Sequence, residues 1–237
     1  MVRTFEVYFL LFISYAFMGW CMEVICKLIQ YKRFINRGFL IGPYCPIYGY
    51  GALGITLLLK KYINDPIVLF IMSTIICSVL EYFTSYFMEK KYHARWWDYS
   101  GKKYNLNGRI CLETAIPFGI LGMLIMYVIN PLLYDCYLKI PEIVLHILTG
   151  IIFVGYIVDN LISSHIVKSV RVEGSKLEKD NTEEITERVK QILREKSLLH
   201  RRLINAYPNM KDIRVKIKQK TNETREKIKS KIKERGM

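Results

Sequence analysis

Four acidic side chains sit where acids are costly. Glu23, Glu81, Glu113 and Asp159 each fall inside, or at the edge of, a long apolar run. Ionisable groups in such runs mark solute paths, proton or ion sites and water-filled cavities. Carboxylates there can bind cations or act as acid or base. Arginine at headgroup depth suits phosphate. The counter-charges available from neighbouring loops are Arg37, Arg95 and Arg109. Arg109 and Glu113 stand four apart on one helix, in the weaker basic-before-acidic order, which favours partners on other elements for one or both. Any single acid is explained equally well by a structural pairing with a loop arginine. Four acids at one depth favour a shared polar chamber.

The depth follows from the elements that carry the acids. Residues 5–164 contain long apolar runs, whereas residues 165–237 contain almost none. A bilayer core takes roughly 20 mostly apolar helical residues to cross. Five segments approach that length: 5–29, 43–59, 66–88, 109–134 and 140–164. The second is the shortest and carries Gly49, Gly51 and Gly54. The expected fold is an all-α polytopic membrane bundle of about five helices over residues 1–165, followed by a basic helical cytoplasmic tail over 166–237. With the N-terminus outside, 31 of the 35 Lys and Arg residues fall on the inner side, and only Arg3, Lys60, Lys61 and Lys139 fall outside. Positive residues mark the cytoplasmic side. In this orientation the four acids lie roughly 8–10 Å from the inner ends of their spans, at 1.5 Å per helical residue. His146 is nearer the outer face. The first run is read as a retained span, since no small-x-small cleavage site follows it.

Two inner loops face that level. The first, Asn36-Arg37-Gly38 through Pro43, Pro46 and Gly51, mixes Gly, Pro and Tyr and cannot be one regular helix. It reads as a re-entrant or broken approach to the second span, or else as an interfacial loop with belt tyrosines. The second contains His93, Arg95-Trp96-Trp97-Asp98-Tyr99 and Asn105 to Arg109. The tryptophans suit an interfacial anchor, and Asp98 and Asn107, close to Arg95 and Arg109, suit a site wall. His93 with Asp98 lacks compact metal-ligand spacing, so no metal or other cofactor is expected. The two halves echo each other. Glu23, a basic loop, Asn36-Arg37-Gly38 and Pro46-Ile47-Tyr48-Gly49 correspond to Glu81, a basic loop, Asn107-Gly108-Arg109 and Pro117-Phe118-Gly119. Both units run outside to inside and back, as parallel repeats around a central site would.

The six cysteines form no CxxC pair and lie mostly in spans, where they read as small apolar residues. The net charge of +14 is concentrated in the tail and inner loops. Anionic lipid headgroups account for it without nucleic acid. In the tail, Ile185, Val189, Ile192, Leu199 and Leu203 form a thin heptad-like stripe. Asn205 to Asn209 breaks it, and a second basic helix is expected over 211–235.

The run Asn36 to Gly51 and the blocks Leu80-Glu81-Tyr82, Arg95 to Ser100 and Asn107 to Leu112 resemble a bacterial membrane family named as putative type-IV ABC-transporter permeases, the CmpB-like group. Gly19-Trp20 with Glu23, and Ala206-Tyr207-Pro208 in the tail, fit it as well. The resemblance is strongest over residues 15–120. It implies a multi-pass protein of the bacterial cell membrane and a permease role by name, with no established catalytic residues to carry over. The chain has no G-x-x-x-x-G-K-[ST] loop, so ATP hydrolysis would need a separate subunit docked on the loops or tail. The expected function is therefore a permease or transporter component. Its candidate polar cluster is Glu23, Asn36, Arg37, Glu81, Arg95, Asp98, Asn107, Arg109, Glu113 and Asp159, with lipids, an ATPase subunit or a second copy as partners. Two alternatives stand beside it: an intramembrane enzyme acting on a lipid or lipid-linked substrate, and a scaffold or sensor that recruits partners through the tail.

Overall fold

The structure, a computed structural model, describes residues 2–32, 34–36, 38–92, 94–176 and 211–212. The described chain is a bundle of helices: α1 (Val2–Tyr31), α2 (Pro46–Leu58), α3 (Pro66–Tyr92), α4 (Leu112–Leu124), α5 (Asn130–Leu138) and α6 (Glu142–Lys176). A 3₁₀ turn, Lys60–Tyr62, links α2 to α3, and a π-helical turn, Ile125–Ile129, joins α4 to α5 in one continuous rod. Among the described residues, α1, α3, the Leu112–Leu138 rod and α6 from Glu142 to His165 are long and apolar enough to cross a membrane. The expected second span is shorter than a full crossing. Its helix begins only at Pro46, because Pro43 and the glycines before it leave the backbone irregular, and it reaches about 20 Å at 1.5 Å per residue.

Hydrogen bonds fix which ends lie together. The Arg3 guanidinium donates to the Leu138 carbonyl at 2.7 Å and the Ile140 carbonyl at 3.3 Å. Tyr127 Oη donates to the Ile63 carbonyl at 2.8 Å. The start of α1, the α2–α3 turn and the α5–α6 turn therefore share one face. The described residues of the first loop, 34–36 and 38–45, and of the second, 94–111, lie at the opposite face, with the end of the α6 span.

Lipid supplies no hydrophobic drive between helices, so close van der Waals contact and polar bonds must hold them. In the α1–α2 hairpin, a Cβ at Gly49 would stand 2.6 Å from the Phe12 ring. In the α3–α4 hairpin, a Cβ at Gly119 would stand 2.5 Å from the Phe70 ring. Phe12 and Phe70 each precede their acid, Glu23 or Glu81, by eleven residues, and each glycine follows its proline by two or three. The two hairpins thus use the same kind of ring-on-glycine contact, with the ring eleven residues before the acid in each. Their different lengths are absorbed by the second loop, which holds a two-stranded ladder of β2 (Asn105–Leu106) and β3 (Ile110–Cys111). Asn107 at φ 55° and Gly108 at φ 67° close this hairpin in the left-handed conformation that Asn and Gly tolerate best.

β1 (Ala94–Arg95) pairs antiparallel with β4 (Lys211–Asp212), so the tail returns to the second loop. The basic helix expected from residue 211 does not start there. Lys211 and Asp212 are extended because β1 satisfies their backbone groups. The rest of that helix, and the heptad-like stripe, lie outside the described residues. α6 continues past residue 165 to Lys176.

Candidate functional site

A cavity of about 680 Å³ lies between the two hairpins, bounded by α1 to α4, the second loop and α6. That volume falls in the range of small-molecule sites. Glu23 from α1 and Glu81 from α3 both line it, within electrostatic reach of each other. Tyr48 Oη, from the first turn of α2, donates to Glu23 Oε1 at 2.8 Å. Tyr99 Oη donates to Glu81 Oε1 at 3.2 Å, and Thr114 Oγ1 donates to Oε2 at 3.5 Å. Glu81 is only 7% exposed. Burial, reinforced by the Glu81 carboxylate, holds the loop residue Tyr99 well above the usual phenol range, so it stays a neutral donor.

Local structure places the loop donors. The Asp98 carboxylate accepts from the Ser100 backbone N–H at 3.0 Å and from its hydroxyl, and this turn orients Tyr99. The Tyr99 N–H donates to the Gly108 carbonyl at 2.8 Å. Trp97 Nε1 donates to the Arg109 carbonyl at 3.0 Å. Asn105 donates to the Lys102 carbonyl at 2.7 Å and accepts from the Gly108 N–H at 3.0 Å. Asn107 Nδ2 donates to Tyr82 Oη at 3.0 Å, tying the hairpin tip to α3.

The structure brings together some of the ten candidates and separates others. Glu23 and Glu81 share the cavity. Asp159 does not line it. Its carboxylate accepts from the backbone N–H groups of Ile41 at 2.9 Å and Gly42 at 2.7 Å, from Tyr44 Oη at 2.5 Å and from Ser163 Oγ at 2.8 Å. It clamps the irregular first loop onto α6 and satisfies two of its backbone N–H groups, which no helix or strand pairs. Glu113 is exposed on the first turn of α4 and pairs with Lys102 at 2.7 Å. That carboxylate, through hydrogen bond and charge, raises the Lys102 pKa. Arg109 reaches α3 instead of Glu113. It bridges Glu89 at 2.7 Å, contacts Ser85 Oγ at 3.3 Å and stacks over the Tyr82 and Tyr86 rings. Asn36 Oδ1 accepts from Trp20 Nε1 at 2.7 Å, pinning the first loop to α1. Arg37 and His93 lie outside the described residues, and Arg95 is placed by its backbone in β1.

The residues that sequence reasoning passed over are Glu89, Tyr48, Tyr99 and Thr114. Glu89 was screened by its place beside Lys90 and Lys91, where it reads as a solvated helix end. The hydroxyls carried no charge to draw notice, although Tyr48 stands in the Gly/Pro/Tyr loop already singled out.

One comparison with known proteins is positive. The family model described as Putative ABC-transporter type IV matches residues 10–164. The chain belongs to that family. No curated protein and no solved structure matches it. The matched region covers α1 to the end of the α6 span, including both hairpins and the cavity. The protein is accordingly a multi-pass membrane member of an ABC-transporter family.

Proposed function

We propose that the chain is the membrane subunit of a transporter and that its solute occupies the cavity between the two hairpins. The observation behind this reading is the equivalence of the two acids. Each hairpin contributes one glutamate, eleven residues after the ring that packs on its glycine, to one cavity of about 680 Å³. Carriers built from repeats commonly bind solute where the repeats meet. The remaining polar residues hold the walls: Asp159 the first loop, Arg109 and Asn107 the second. The positive-residue balance supports an orientation with both loops cytoplasmic and the N-terminus outside, in the bacterial cell membrane. The loops are then the surface on which a separate ATPase subunit would dock.

The test is transport. Inside-out vesicles from cells with and without the chain are incubated with ATP and a cell-extract metabolite pool in the external medium, and solutes accumulated inside are compared by mass spectrometry. Solutes that depend on the chain should be lost on Glu81→Gln and on Gly51→Trp, which fills the cavity from α2. Unchanged accumulation in both variants removes the basis of the proposal. For the orientation, a membrane-impermeant maleimide should reach exposed Cys136 from outside and exposed Cys26 only from inside. The reverse pattern inverts the topology.

A further inference from the structure

The cavity opens sideways, and that names the class of molecule that reaches it, an inference that rests on the transporter reading. The Leu112–Leu138 rod changes partner along its length. Its second half is tied to α1, where Tyr15 Oη donates to Asn130 at 3.2 Å and Ser14 shares a hydrogen bond with Tyr137. Its first half sits on α3 instead, with Gly119 against Phe70 and Gly122 against Ser73. Toward the two loops the rod thus leaves α1. There the cavity is lined by Met18 and Met22 of α1 and by Thr84, Phe87 and Met88 of α3. Met18 is 39% exposed and Phe87 60% exposed, so both face the cavity and the outside of the bundle at once. A side chain does both only at a rim. The mouth therefore lies between α1 and α3. Phe87 stands five residues before the end of α3, about 7–8 Å at 1.5 Å per residue, so this mouth opens on hydrocarbon.

The way in from water on the loop side is filled by rings. Phe39, Tyr92 and Trp96 pack on one another with centroids 5.5–6.2 Å apart, and all three line the cavity. A molecule that enters beneath this layer comes from the membrane and has an apolar body. The mouth suits one. Three of its rim residues are methionines, whose unbranched side chains repack around flexible chains. Behind them Leu80, Leu121 and Ile125 continue the apolar wall. Lys91 stands at the loop end of the rim, about 6 Å nearer the loops than Phe87. It is exposed, its ammonium lies 5.3 Å from the Tyr92 ring centre, and among the described residues no carboxylate pairs with it. A lysine at headgroup depth attracts an anionic headgroup. We propose that the mouth admits an anionic phospholipid from the leaflet on the loop side, with its phosphate on Lys91 and an acyl chain passing between Met22 and Phe87 into the cavity.

The test uses the purified full chain in phosphatidylcholine nanodiscs doped with a photoactivatable phosphatidylglycerol that carries a diazirine in its acyl chain. After irradiation, adducts are mapped by mass spectrometry. They should appear on Leu80 and Leu121 behind the mouth, as well as on Ile151 and Leu161, which face outward from α6. Lys91→Gln should lower the cavity adducts about fivefold and leave those on α6 unchanged. Met22→Trp, which plugs the rim, should abolish them. Lys91 is exposed, so its variant carries the comparison if melting temperature shows that Met22→Trp fails to fold. A photoactivatable phosphatidylcholine should label α6 alone. Adducts confined to outward-facing residues overturn the lateral site. Cavity adducts that are equal for the two lipids, or that survive Lys91→Gln undiminished, overturn the anionic assignment. The vesicle assay separates this proposal from the reading beneath it. Accumulation lost in Gly51→Trp but kept in folded Met22→Trp and in Lys91→Gln retains the transporter and removes the lipid as its solute. Cavity adducts without any accumulation that depends on the chain retain the lipid site and remove the transporter.

Discussion

The clamp at Asp159 allows a quantitative prediction. Its carboxylate takes four hydrogen bonds, three of them from Ile41, Gly42 and Tyr44 on one irregular loop. Bonds to a charged acceptor contribute about 1.5–3 kcal/mol each when measured singly, and they do not add fully. Asp159→Ala also strands the two backbone N–H groups, so a net loss of about 3–4 kcal/mol in loop docking is expected. At about 1.4 kcal/mol per factor of ten, the undocked population rises at least about a hundredfold. Cys45, buried at the end of this loop with its N–H on the Ala16 carbonyl at 2.9 Å, reports the change. In a chain whose other five cysteines are replaced by alanine, maleimide labelling of Cys45 should accelerate by that factor in Asp159→Ala. Tyr44→Phe, which removes one donor, should accelerate it by only about tenfold. The same labelling rate in Asp159→Ala as in the parent chain would refute the clamp. So would a larger effect from Tyr44→Phe than from Asp159→Ala.

Other elements make further predictions. Arg109→Lys keeps the charge but loses the fork that meets Glu89 and Ser85 and the stacking on Tyr82 and Tyr86. It should destabilise the protein by about 1–3 kcal/mol, read as a lower melting temperature in detergent micelles. Gly119→Leu forces a side chain into the Phe70 ring and should cost about 1–3 kcal/mol or abolish expression. Gly54→Ala, where a Cβ would meet Ile76 at an ordinary 3.7 Å, should melt within error of the parent. Glu113→Gln should return the Lys102 pKa downward toward its ordinary value, followed by NMR titration of the labelled lysine. The melting temperature should not change, since both partners are exposed.

The apolar runs, their order and the acids embedded in them were legible in sequence, because a membrane span writes its length and polarity directly into composition. The broken approach to α2 was legible for a similar local reason: Gly38, Pro43 and Pro46 leave no regular helix to form. The echo between the halves was visible in Glu23 and Glu81, and each hairpin also seats a ring on a glycine, Phe12 on Gly49 and Phe70 on Gly119, a contact that only the fold shows. Equal depth, however, says nothing about direction. Residue counting places Glu23, Glu81, Glu113 and Asp159 at similar levels, yet which way each side chain points depends on the rotation of its helix. That rotation is set by contacts between distant segments, such as rings seated on glycines. Only the tertiary structure therefore turned Glu23 and Glu81 into one cavity, gave Asp159 to the first loop and left Glu113 at the surface.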